Sequence, residues 1–171
     1  MPERLLAIYL RDHLAGATAG RELARRTYAN NRGTELEQAL ARLARDIDED
    51  RAALLRLMSE LGVAPSHAKN ALGWALEKAG RLKLNGRLVR RSPLSRLVEL
   101  EGLAIGVTGK QALWSALERA GVAARGVDLA DLRRRAEEQR RELERLRLAV
   151  AAEALDVAGR PPAGPRAERP R

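Results

Sequence analysis

The chain has no cysteine and no phenylalanine, and only two histidines, two tryptophans and two tyrosines. Without cysteine there are no disulfides, no thiolate-bound zinc and no thiol nucleophile. Aromatics make up 2% of the residues against 45% apolar in total, so any core must be aliphatic. Ala, Leu, Arg and Glu dominate, a composition that favours helix over strand. Long apolar runs are also missing. No stretch of about 18 uncharged apolar residues occurs, so no membrane-spanning helix is expected. The start, "MPERLLAIYLRDHLAG", lacks a charged leader followed by an apolar run, which speaks against a signal peptide and for a cytoplasmic protein. Ser59, Ser66, Ser92, Ser95 and Ser115 stand in no nucleophile motif, and "LNGRL" is a turn signal, not a phosphate cradle. The expectation is a protein without enzymatic activity.

Acids are absent from one stretch. Residues 78–96 carry Lys78, Arg81, Lys83, Arg87, Arg90, Arg91 and Arg96 and no Asp or Glu. The tail from Gly159 adds four Arg against one Glu. Seven charges plus three give +10, against +9 for the whole chain, so the remainder is about neutral and the basic character is local. Such a segment can contact phosphates of RNA or DNA, or an acidic protein surface. No aromatic is interleaved in 78–96 for base stacking, and no recognition motif is present.

What is present is helical periodicity. One segment runs from about Glu3 to Tyr28 and is broken by "NNRG". Thr34 with Glu37 reads as a capping box, followed by Leu36, Leu40, Leu43, Ile47, Leu54, Leu57 and Leu61 at spacings of three and four, with Gly62 as the stop. A third segment begins at "SPLSR", with Ser92 as cap and Pro93 in the first turn, and is apolar nearly all round through Leu117. The fourth is capped by Asp128 and carries Leu129, Leu132, Ala136, Gln139, Leu143, Leu146 and Val150. Its outer face pairs Asp131 with Arg135 and Glu137 with Arg141. About thirty residues separate the second and third segments, including a short helical pattern at 66–80 that contains His67 and Trp74. Two short hairpins joined by one long crossover imply an all-α, up-down four-helix bundle of the ferritin-like type. Residues 1–157 form the domain, and 158–171 a disordered Pro- and Arg-rich tail.

The stretches "YLRDHLAGATAG", "GRLKLNGRLVRRSPLSRLVELEG" and "TGKQALW" resemble a group of small bacterial proteins related to the ferritin-like four-helix-bundle superfamily. The resemblance spans roughly residues 3–155 and implies the fold. It brings no activity with it.

Di-iron carboxylate bundles use a Glu from each of two helices and a Glu-x-x-His from each of the other two. No Glu-x-x-His occurs here. Polar residues nevertheless interrupt the apolar stripes: Asp12 or His13 in the first segment, Asp50 in the second, Glu99 or Glu101 in the third and Gln139 in the fourth. The first expectation is that these are buried, hydrogen-bonded packing groups. At a rise of 1.5 Å per residue, His13 and Asp50 each lie roughly 22 Å from the turn that joins their helices, so they can meet. Gln139 falls within about one turn of that level. The third segment offers Ile105 and Gly106 there, with Glu101 roughly 8 Å further along. The alternative is an atypical metal site in which His13, Asp50 and Glu101 hold iron or manganese; otherwise no cofactor is expected. Gly16 and Gly20 mirror Gly102 and Gly106. Spaced by four, each pair shares a face. Close helix–helix contact through small residues is the favoured expectation, and a ligand approaching the backbone the other.

Overall fold

A computed structural model describes residues 2–65 and 92–155. The chain is all-α, with four packed helices and no strand among the described residues: α1 (Pro2–Asn30), α2 (Glu37–Glu60), α3 (Pro93–Arg119) and α4 (Leu129–Ala154). The helical pattern at 66–80, the cations from Lys78 to Arg91 and the tail 158–171 lie outside the described residues. No described helix is long and apolar enough to cross a membrane.

The helix ends follow from local chemistry. Ser92 accepts a hydrogen bond from the Ser95 N–H at 3.1 Å with Pro93 behind it, and Asp128 accepts from the Asp131 N–H at 3.0 Å. The expected capping box forms only in part. The Glu37 carboxylate reaches back to the Gly33 N–H at 2.8 Å, and the Thr34 hydroxyl accepts from the Leu36 N–H at 3.2 Å. These bonds hold a turn, and α2 proper starts at Glu37. Gly62 and Gly121 take positive φ and stop α2 and α3 in the same way. The Val63 N–H bonds the Met58 carbonyl, and the Val122 N–H bonds the Leu117 carbonyl.

Ion pairs and hydrogen bonds give the helix directions. Arg21 and Arg25 on α1 hold Asp48 on α2, while Arg51 donates to Thr18 at 3.2 Å, so α1 and α2 are antiparallel. Asn30 bonds Glu99 at 2.9 Å near the start of α3, and Leu23 meets Gly102, so α1 and α3 are also antiparallel. Arg133–Glu118 and Arg96–Glu153 mark opposite ends of an antiparallel α3–α4 pair. The core forms two apolar clusters. One gathers Leu40, Leu100 and Leu146, and the other Leu57, Leu117 and Leu132. Leu40 therefore lies with Leu100, and Leu57 with Leu117, which makes α2 and α3 parallel. α2 ends at one end of the bundle and α3 begins at the other.

The contact between α1 and α3 is uneven. A Cβ added at Gly102 would lie 3.0 Å from Leu23 Cδ2, so the helices touch closely there. At Gly16, Gly20 and Gly106 no described atom outside the local backbone lies within 4 Å of such a Cβ. Expected close packing holds at one of the four glycines and not at the other three. A helical Gly costs roughly 1 kcal/mol relative to Ala. Gly106→Ala is thus expected to stabilise the fold by about 0.5–1 kcal/mol in urea denaturation. Gly102→Ala should show no such gain, because Leu23 has to move. Equal gains at both positions would mean that α1 and α3 are evenly spaced.

Candidate functional site

Between the two apolar clusters lies a polar layer. Asp50 interrupts the α2 stripe and is 1% exposed. A carboxylate so buried needs partners, and it finds them on two other helices. Lys110 Nζ of α3 sits 2.5 Å from Asp50 Oδ2 and also donates to Gln139 Oε1. Gln139 Nε2 of α4 donates to the same Asp50 oxygen at 2.9 Å. Arg135, one turn before Gln139, stands 3.4 Å from Asp50 Oδ1 and pairs with Glu49 at 2.9 Å. Arg135 therefore bridges to α2, while its expected partner Asp131 pairs with Arg134 instead. Burial lowers the Lys110 pKa, and the attraction of Asp50 opposes that shift. Asp46, one turn before Asp50, is pushed up, mainly by burial and against the pull of Arg135.

Lys110 is absent from the sequence-derived set. Its signal is nonetheless there: it is the only charged residue between Glu101 and Glu118. A lone lysine in an apolar helix needs an anion, and Asp50 is the anion one helix away. Estimated levels put Gly106 opposite Asp50; the structure puts Lys110 there, one turn further along.

Of the remaining polar positions, Asp12 and His13 line the same cavity as Asp50, and Glu99 and Glu101 do not. Asp12 is exposed, not buried. His13 is half-buried, with its ring edge-on to Tyr9 at 4.5 Å between centroids. Burial lowers its pKa, outweighing the opposing pull of Asp12. Glu99 is half-buried, bonded to Asn30, with Arg26 at 3.8 Å. Glu101 is 45% exposed at its side chain and lies 3.7 Å from Arg147. His13 and Asp50 line one cavity and Glu101 does not, and no three His, Asp or Glu among the described residues could hold a metal ion. Asp50 also has an ammonium as its nearest partner, which repels a second cation. The donor set does not fit iron or manganese. Of the basic segment, Arg96 is described, and it pairs with Glu153 at 3.5 Å.

Above the polar layer, α1, α2 and α3 enclose a cavity of about 390 Å³. Gly16 and Gly20 of α1 face Gly102, Gly106 and Gly109 of α3 around it. Its rim includes exposed Asp12 and Ile105, the latter 72% exposed, so the cavity is a cleft open to the surface. Its interior is apolar, with Ile47, Leu54, Leu103, Val107 and Leu113 among the lining residues. Asp12, His13, Asp50, Arg51, Lys110 and Trp114 are its polar lining residues, two carboxylates against two cations. Trp114 is 1% exposed, and its Nε1–H has no hydrogen-bond acceptor among the described residues. Thr27 Oγ1, Asn31 Oδ1 and Asp50 Oδ1 are likewise buried without a hydrogen-bond partner among the described residues, and each such group costs roughly 1–3 kcal/mol.

No family model, curated protein or solved structure matches the chain, and its site is read from its own chemistry.

Two outcomes follow from the geometry. Asp50→Leu and Lys110→Met should each cost about 3–5 kcal/mol, because each strands a buried charge. The double variant should cost less than either single one, which chemical denaturation of the four proteins will reveal. Additive losses would mean that the pair is not coupled. The second outcome concerns His13. Its folded pKa lies below the usual 6.5, so below that pH the unfolded chain binds more protons than the folded one. Stability contributed by neutral His13 should therefore be present above about pH 6.5 and decline as the pH falls through that value. Comparing denaturation midpoints at pH 5 and pH 7.5 for the unmodified chain and His13→Asn checks this. An identical pH dependence would exclude it.

Proposed function

We propose that this is a non-enzymatic binding protein, a ferritin-like bundle that takes an apolar small molecule in the cleft between α1 and α3. The observation that carries this reading is the open space above Gly16, Gly20 and Gly106. Three helix-weakening residues are kept where nothing described presses on them, and all three line one cavity. Ligand cavities of about 300–1,000 Å³, mostly apolar with a few convergent polar groups, are typical of sites between bundle helices. The antiparallel α1–α2 and α3–α4 pairs, with α2 parallel to α3, support the ferritin-like arrangement and its single long connection. The protein is expected to act in the cytoplasm.

A second reading draws on the run of seven cations from Lys78 to Arg96, which suits an acidic protein surface or RNA. The pairing of Arg96 with Glu153 subtracts one of those charges, and the cleft is the better-supported site.

The test uses N-phenyl-1-naphthylamine, a dye whose emission rises in apolar sites. The full chain should enhance its fluorescence saturably. A Cβ at Gly16 or Gly106 meets no described atom, and the longer leucine side chain is chosen to extend from there into the cleft. Gly16→Leu/Gly106→Leu should therefore abolish the enhancement while circular dichroism stays helical. Undiminished dye binding in that folded variant would rule out the cleft.

A further inference from the structure

We infer that Lys110 is a covalent attachment site, whose amine condenses with the aldehyde group of an uncharged apolar molecule in this cleft and holds it as a protonated imine beside Asp50. This rests on the cleft being a binding site, as proposed above. Charge comes first. Among the lining residues, Asp12 and Asp50 offset Arg51 and Lys110. An uncharged occupant leaves that balance as it is. The walls of Leu54, Leu103, Val107 and Leu113 offer it no hydrogen bond, so the bulk of the molecule must be hydrocarbon. An aldehyde on a hydrocarbon chain meets both conditions and carries a group that a lysine converts into a bond.

Lys110 stands apart from the other cations. It is the only lysine among the described residues, and every other described ion pair uses arginine. Arginine is the usual partner in a buried pair and stays charged, so it offers no nucleophile. The position given to lysine instead is one that lines the cleft. Within the pair, the Asp50 side chain is 1% exposed and the Lys110 side chain 15%, so the lysine is the accessible partner. Asp50 Oδ2 and Gln139 Oε1 take two of its three N–H groups. In the free amine the third position carries the lone pair. Burial favours that free amine, with the attraction of Asp50 opposing it. Lysines desolvated in apolar pockets are activated toward imine formation with carbonyl groups.

The condensation needs no oxidant or reductant. The ammonium gives one proton to water, and the amine nitrogen bonds the carbonyl carbon. A second nitrogen proton passes to the carbonyl oxygen, which leaves as water when the first proton returns. The nitrogen keeps one proton and one positive charge. Asp50 therefore retains its cation and the remaining N–H, while Gln139 Oε1 gives up its bond. Acylation of the same amine would remove the charge and strand a buried carboxylate, which favours an aldehyde over an acyl donor.

The experiment treats the full chain with octanal and sodium cyanoborohydride, which reduces an imine to a stable secondary amine. Peptide mass spectrometry then maps the octyl groups. Lys110 should be labelled several-fold faster than Lys69, Lys78, Lys83 and the terminal amine, which serve as internal controls. Prior addition of N-phenyl-1-naphthylamine should slow labelling at Lys110 and leave the other amines unaffected. Gly16→Leu/Gly106→Leu should slow Lys110 in the same way without the dye. The dye arm uses the unmodified chain and decides the outcome even where the leucine pair unfolds it. If the dye binds and Lys110 is labelled no faster than the other lysines, the imine is overturned and the cleft stands. If Lys110 is labelled faster but the dye does not slow it, or if neither dye nor octanal engages the chain, the cleft falls and the imine within it falls too.

Discussion

Lys110 and Asp50 face each other across the diagonal of the bundle, and Gln139 locks both from a third helix. Leucines at spacings of three and four do not by themselves fix how far one helix slides along another. A displacement of one turn, about 5.4 Å, presents a nearly equivalent row of apolar side chains. The buried ion pair removes that freedom. Any slip of α3 along α2 would leave an ammonium and a carboxylate apart in a medium that solvates neither. The apolar clusters on either side can then be built from a monotonous aliphatic alphabet, because position is set in the layer between them.

Much of this was legible in the chain. The caps at Ser92 and Asp128, the stop at Gly62, and the apolar stripes of the second and fourth segments are local features, and local chemistry decides them. Asp50 and Gln139 were visible as interruptions of a pattern. Lys110 was harder, because a helix that is apolar on nearly every side offers no stripe to interrupt. Its level also depends on how four helices are offset, and an error of one turn put Gly106 in its place. Thr27 and Asn31 were obscured for another reason. Thr27 lies in the last turn of α1 and Asn31 in the NNRG turn that follows, yet both are buried, and the Asn31 amide donates to the Thr27 carbonyl at 2.8 Å. Asp12 shows the converse limit. Adjacent residues stand about 100° apart on a helix, and periodicity alone does not say that His13 is the more buried of the two that border the cleft.

The glycines are the sharper lesson. Spacing by four says that Gly16 and Gly20 share a face, as do Gly102 and Gly106, and the structure sets those faces toward each other. It does not say whether a neighbouring helix fills the gap. At Gly102 the Leu23 side chain fills the gap, whereas at Gly106, one turn away, no described side chain does. The cleft lies where glycines of α1 and α3 line the space between them.

Every neighbouring pair in this bundle is antiparallel, since the two parallel pairs, α2 with α3 and α1 with α4, lie on the diagonals. Each helix end of partial positive charge is flanked by ends of partial negative charge. The backbone macrodipoles therefore cancel along the long axis, and neither end of the molecule acts as an electrostatic pole. The long-range field falls entirely to the side chains, where 32 cationic residues outnumber 23 acidic ones. On α4 the acids are consumed in short-range pairs such as Arg141 with Glu137 and Arg145 with Glu142. What a distant charged molecule senses is thus the distribution of surplus arginine and lysine, a property that can be altered residue by residue without touching the helical frame.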